Sequence, residues 1–155
     1  MPTYKTTSTA TIQAPAELVY NILADYHVAH PSILPEKYFQ ALKVEQGGFG
    51  AGTVIKFNMH VGNQLQTFRS EISEPVPGQV LLEQSLDQTG LQTRFEVVPV
   101  AEALSKVTFT TTGQTRRRGL LGYIERLVTE MFLQRVYRQE LQKLSEFATR
   151  KMTKK

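Results

Sequence analysis

The side chains best suited to chemistry cluster in "DYHVAHP", residues 25–31. His27 and His30 stand three apart, so on one helical turn their rings would approach each other, with Asp25 as a possible third group. Two imidazoles and a carboxylate are metal ligands in kind. No fourth ligand follows at metal-site spacing, however, and Pro31 interrupts the backbone, so no metal is expected. An imidazole titrates near neutral pH, which leaves His27 and His30 as proton carriers for acid–base chemistry and Tyr26 as a ligand contact. The competing reading is an ordinary exposed loop. A second candidate is Glu83 in "QVLLEQSLD", residues 79–87, whose alternation can be read in two phases. Either Leu82, Gln84 and Leu86 face inward, or Leu81, Glu83 and Ser85 do; only the second phase brings a carboxyl inside.

Other chemistries find no support. The chain of 155 residues has no cysteine, which removes disulfides and thiolate nucleophiles. The glycines of "GGFGAG", residues 47–52, lie between two strand-like segments and do not open a helix, so they read as a turn and not a phosphate cradle. Neither a nucleophile elbow nor a dinucleotide fingerprint appears, and no cofactor is expected. Four of the 18 basic residues fall in the last six positions, leaving 14 against 14 acidic ones elsewhere. A broad basic face for DNA is therefore not expected, and residues 150–155 read as a basic tail on a single domain of residues 1–149. Arg116, Arg117 and Arg118 in "TRRRG" stand where a following helix dipole disfavours cations; they could grip an acidic head group or lipid phosphate, or form a solvated loop. The opening "MPTYKTTSTATIQAP" has no apolar run like a signal peptide, and no segment is long enough to span a bilayer, so a cytoplasmic location is expected.

The elements that must position these residues follow from periodicity. "TYKTTSTATIQ" reads as a strand and "APAELVYNILADY" as a helix with Pro15 near its start; Pro31 and Pro35 then allow at most a short helical turn. Six strand-like segments follow, separated mostly by short turns, which make neighbours antiparallel. A long helical pattern runs from Leu120 to about Ala148. This order predicts an α+β domain in which one long helix packs on an antiparallel sheet.

Strand parity then selects faces. In "GAGTVIKFNMHVGN", residues 50–63, Phe57 and Met59 point inward and Lys56, Asn58 and His60 outward. By the same rule Phe68 and Ser70 point inward, as do Thr93, Phe95 and Val97, and Phe109 and Thr111. Arg69, Glu71, Arg94, Glu96 and Lys106 fall on the outer face as solvated pairs. The inner face is thus apolar with a few neutral hydroxyls, which suits an apolar ligand held by few hydrogen bonds. A solid core would look similar. The helix adds Leu127 and Met131 to the wall: Leu120, Ile124, Leu127, Val128 and Met131 share one arc, and Leu133, Tyr137, Leu141, Leu144 and Ala148 nearly the opposite one. Either the helix bends near Phe132, or its first half covers a cavity while its second clamps the sheet. A homodimer contact on the second arc is a further possibility.

The segments "ATIQAPAELVYNILADY", "GFGAGTVIKF", "TRFEVVPV" with "SKVTFTTTG", and "RQELQKLSEFA" together resemble the START-related helix-grip superfamily (SRPBCC), in particular its polyketide cyclase/dehydrase family. The likeness spans nearly the whole chain and rests on the order and spacing of individually weak motifs. It implies a curved seven-stranded antiparallel sheet around a C-terminal helix, two short helices after the first strand, and an enclosed apolar pocket whose mouth loops include "YHVAHP". It implies no single activity. The expected function is binding or transport of a small apolar molecule, lipid-, quinone- or polyketide-like. The alternatives are a cyclase or dehydratase using His27, His30 or Glu83, and a protein- or RNA-interaction module.

Overall fold

A computed structural model describes residues 3–153. Strand β1 (Thr3–Ile12) leads into helix α1 (Ala16–Ala24) and the single-turn helix α2 (Ala29–Ile33). Six strands follow: β2 (Phe39–Gln46), β3 (Val54–Val61), β4 (Gln64–Val76), β5 (Val80–Ser85), β6 (Gln92–Ala101) and β7 (Leu104–Gln114). Helix α3 (Gly119–Thr153) closes the chain. All seven strands join one antiparallel sheet in the order β1-β7-β6-β5-β4-β3-β2. This is the helix-grip arrangement. α3 runs without interruption through Arg150 and Lys151 to Thr153, past the expected start of a tail; Lys154 and Lys155 lie outside the described residues.

Local sequence explains the elements. In β1 the even positions Thr6 and Ile12 are buried while the odd positions are open, the period-2 signature of a half-buried strand. α1 buries Val19, Ile22 and Leu23 at helical spacing, and Pro15 at its N-cap supplies an extended residue with no donor to waste. Pro31 falls in the first turn of α2, where its missing N–H has no intrahelical partner to lose. Asp25 ends α1, and its carboxylate accepts hydrogen bonds from the backbone N–H groups of His27, Val28 and Ala29 at 3.1, 3.2 and 3.3 Å. It organises the turn into α2.

Register across the sheet aligns the inward polar groups. Glu83 pairs with Thr93, Thr93 with Thr111, and Thr111 with Thr6, so four of them stand side by side on β5, β6, β7 and β1. One step along, Leu81 pairs with Phe95 and Phe95 with Phe109. β5 therefore takes the phase that turns Leu81, Glu83 and Ser85 inward.

The second half of α3 clamps the sheet through Leu133, Val136, Tyr137, Leu141, Leu144 and Ala148, all buried. The first half departs from expectation. Its most apolar arc faces outward: Leu120 is 75 % exposed, Leu127 41 % and Met131 67 %. Leu127 and Met131 are therefore not wall residues. One straight rod cannot present two opposed arcs to one sheet, and burial of the second half fixes its rotation. Counted toward the N-terminus in fours from Leu133, the inward line continues through Thr129 and Glu125, not through the apolar row.

Candidate ligand-binding cavity

Between α3 and the sheet lies a cavity of about 320 Å³, near the lower end for small-molecule sites. Its wall is built by strand parity. Phe57, Met59, Phe68, Ser70, Thr93, Phe95 and Thr111 all line it. Phe57 is the middle of an aromatic series, 5.8 Å from Phe39 across the β2–β3 pair and stacked at 5.4 Å on Phe68 across β3–β4. α3 contributes Thr129, Phe132, Leu133, Tyr137 and Glu140.

Three expected wall residues lie behind the surface instead. Tyr26, Val97 and Phe109 are fully buried and belong to the core. Phe109 packs edge-on against Phe95 at 4.7 Å and Tyr137 at 5.7 Å, supporting the cavity from the rear. Parity assigns the face correctly, but depth depends on how far along the strand a residue meets the helices.

The two loop histidines part company. His27 is exposed, with its ring against the backbone of Gly48, and does not reach the cavity. His30 is 2 % exposed and lines it. Its Nδ1–H donates to the Leu23 carbonyl at 2.6 Å, which leaves the Nε2 lone pair facing the cavity. Its ring stacks on Tyr26 at 4.5 Å and meets Phe95 edge-on at 5.6 Å. Burial pulls His30 down to about 4, against a smaller upward pull from its bond to Leu23 and from Asp25.

Two carboxyls share this inner end. Glu83 accepts a hydrogen bond from the Tyr26 hydroxyl at 2.6 Å, and its Oε2 lies 3.9 Å from His30 Nε2. Glu140 Oε1 lies 3.8 Å from the same nitrogen, and its carboxyl has no hydrogen bond among the described residues. Burial pushes Glu83 up to about 7, outweighing the Tyr26 bond that stabilises its anion. Burial and the neighbouring Glu83 raise Glu140 well above the carboxylate range. The separations are those of ion pairs, but desolvation drives imidazole and acids alike toward their neutral forms. Beside them, the Thr93 and Thr111 hydroxyls are 2.8 Å apart and Thr111 also meets the Tyr137 hydroxyl, a short polar chain along the register row. The result is an apolar chamber whose inner end offers acidic O–H donors and one imidazole acceptor. Among the described residues, no three His, Cys, Asp or Glu side chains are grouped to hold a metal ion.

Glu140 escaped the sequence reading although a signal was present. It falls on the same helical line as Leu133, Tyr137, Leu141 and Leu144, so its burial followed from the spacing that buried them.

The profile of the family described as polyketide cyclase / dehydrase and lipid transport matches residues 3–148. No curated protein matches the chain. Among solved structures, the KanY protein (ms6282) superposes with a TM-score of 0.82 at 25% identity, covering 96% of this chain and 99% of its own. The Zhui aromatase/cyclase from Streptomyces sp. R1128 gives 0.80 at 20% identity over 97% and 96%. A START superfamily protein from Mycobacterium smegmatis gives 0.68 at 13% over 95% and 98%. At those last two identities the likeness is one of fold.

Proposed function

We infer the function from two premises: the chain belongs to the polyketide cyclase / dehydrase and lipid transport family, and its sheet and long helix enclose an apolar cavity ending in buried carboxyls. The protein binds a small, largely apolar molecule carrying one or more carbonyl or hydroxyl oxygens. Phe39, Phe57, Met59 and Phe68 receive its apolar body, and Glu83, Glu140, Thr93 and Ser70 its oxygens. The observation that carries this reading is the division of the lining into an aromatic wall and a polar inner end. Burial of the ligand drives binding at about 25 cal/mol per Å² before ordering costs. A few hydrogen bonds set its orientation.

The neutral probe N-phenyl-1-naphthylamine tests this. Its fluorescence should rise on binding, and Met59→Glu, which places a charge on the wall, should abolish the rise while the circular dichroism spectrum stays native. No binding by the native protein, or equal binding by a folded Met59→Glu variant, rejects the cavity as the site.

One observation favours a second, catalytic reading. A carboxyl near pH 7 beside a neutral imidazole is poised for acid–base work, as in a cyclase or dehydratase. Tyr26 and His30 position Glu83, which donates its proton to a ligand oxygen. Turnover of a β-keto substrate should then fall as pH rises through about 7 and be lost in Glu83→Gln. Turnover retained in that variant removes this reading and leaves binding intact.

A further inference from the structure

We propose that the outer face of the first half of α3 docks on anionic lipid bilayers, its aliphatic row entering the acyl layer and the arginines at both ends engaging lipid phosphates. Leu120, Leu121, Ile124, Leu127, Val128 and Met131 are all open, between 41 % and 75 % exposed. Single exposed apolar side chains are ordinary, but a row of six on one helical arc is not. Arg116, Arg117 and Arg118 precede the row, all exposed. Arg135 and Arg138, also exposed, follow it on the same arc, within about 40° of Ile124 at 100° per residue.

None of these five guanidiniums is held in an ion pair among the described residues, although that of Arg116 also acts electrostatically on the Tyr4 hydroxyl at the cavity. Among the described residues, the arginines held in ion pairs are Arg69, Arg94 and Arg126. The acids of the stretch are turned aside: Glu125 accepts from the backbone N–H groups of Arg116 and Arg117, and Glu130 from that of Lys5 while pairing with Arg126. The face is thus aliphatic at its centre and cationic at both ends, the pattern of a helix lying in a membrane interface.

Charge also argues against a second copy as the occupant. Antiparallel two-fold pairing of this face would set Arg135 and Arg138 of one helix against Arg116–Arg118 of the other, with no free carboxylate between them. An anionic bilayer meets both ends with phosphate. Position supports the same partner. A groove beside the row is lined by Arg116, Arg117, Leu121, Ile124 and Val128, and Arg116 and Glu125 border both this groove and the main cavity. An apolar ligand leaving an acyl layer would meet the chamber next to the docking surface.

Flotation with phosphatidylcholine vesicles, with and without phosphatidylserine, tests the proposal on the full chain. Binding should require phosphatidylserine and weaken at high salt. An R117E/R118E variant and an L127E/M131E variant should each lose roughly tenfold or more in vesicle affinity, with unchanged thermal melting because all four side chains are exposed. Met59→Glu should float like the native protein, which separates this surface from the cavity reading. Several results would overturn it: no binding to phosphatidylserine vesicles, equal binding by both variants, a dimer in sedimentation that L127E/M131E dissolves, or an acidic protein captured by this face while vesicles are not.

Discussion

Glu140 and Glu83 lie close to one imidazole in a space that water does not reach freely, and folding changes the proton affinity of all three groups. A raised acid pKa makes the folded state hold a proton that the unfolded state has released, so stability falls as pH rises from the unfolded to the folded value. For Glu83 that window runs from 4.5 to about 7 and is worth on the order of 3 kcal/mol. His30 works in the opposite sense: lowered from 6.5 to about 4, it costs stability as pH falls through that range. Where their ranges overlap the two oppose each other, and Glu140, raised by burial and by Glu83, adds to the fall in stability with rising pH. Above 6.5 His30 no longer offsets Glu83, and the fall steepens. Urea midpoints measured across pH should therefore decline toward alkaline pH, and Glu140→Gln should flatten the profile and raise the midpoint at pH 8. A midpoint lower than native at pH 8 in that variant would mean Glu140 serves folding as an anion.

At the scale of elements, α3 does more than cover the sheet. The Gln134 amide donates to the Thr7 carbonyl at 2.8 Å and accepts from Ser8 at 3.2 Å, while Glu130 accepts from the Lys5 N–H at 3.2 Å. The helix thereby occupies backbone groups along β1, an edge that would otherwise be open to pairing. Its start depends on Gly122, where an added Cβ would collide with the Arg117 carbonyl, a backbone atom unable to swing away. Gly122→Ala should cost about 1–3 kcal/mol, visible as a lowered melting temperature, even though alanine is the better helix former. Much of this architecture was legible in the sequence. Alternation in β3, β4, β6 and β7 gave the inward faces, and short turns gave the antiparallel order. What parity cannot supply is depth: Phe95 and Val97 share a face, yet one lines the cavity and the other is core. Nor can apolar periodicity fix the rotation of α3, because that is set by its better-packed half.

For the molecule as a whole, packing is uneven. Fully buried side chains gather around α1, the middle of the sheet and the second half of α3: Ile12, Leu23, Leu81, Phe109, Val136 and Leu144. The first half of α3 has the cavity on one side and solvent on the other. Local stability follows buried apolar contact. Amide hydrogen exchange should thus be slowest from Leu133 to Ala148 and faster from Leu121 to Met131, and phosphatidylserine vesicles should slow the latter segment selectively. Uniform protection along α3 would contradict this division. No helix among the described residues is long and apolar enough to cross a membrane.

The aromatic series Phe39, Phe57 and Phe68 is only partly buried and stands at the border of the core. The residues that decide what fits the chamber therefore include side chains at the margin of the core as well as core members such as Met59 and Phe95. A substitution at Phe57 can reshape the chamber while Leu144 and Ile12 keep the scaffold standing. In evolutionary terms, selectivity in such a protein can drift or be redesigned through those marginal side chains with little penalty to the scaffold, so descendants with one backbone can come to hold quite different molecules.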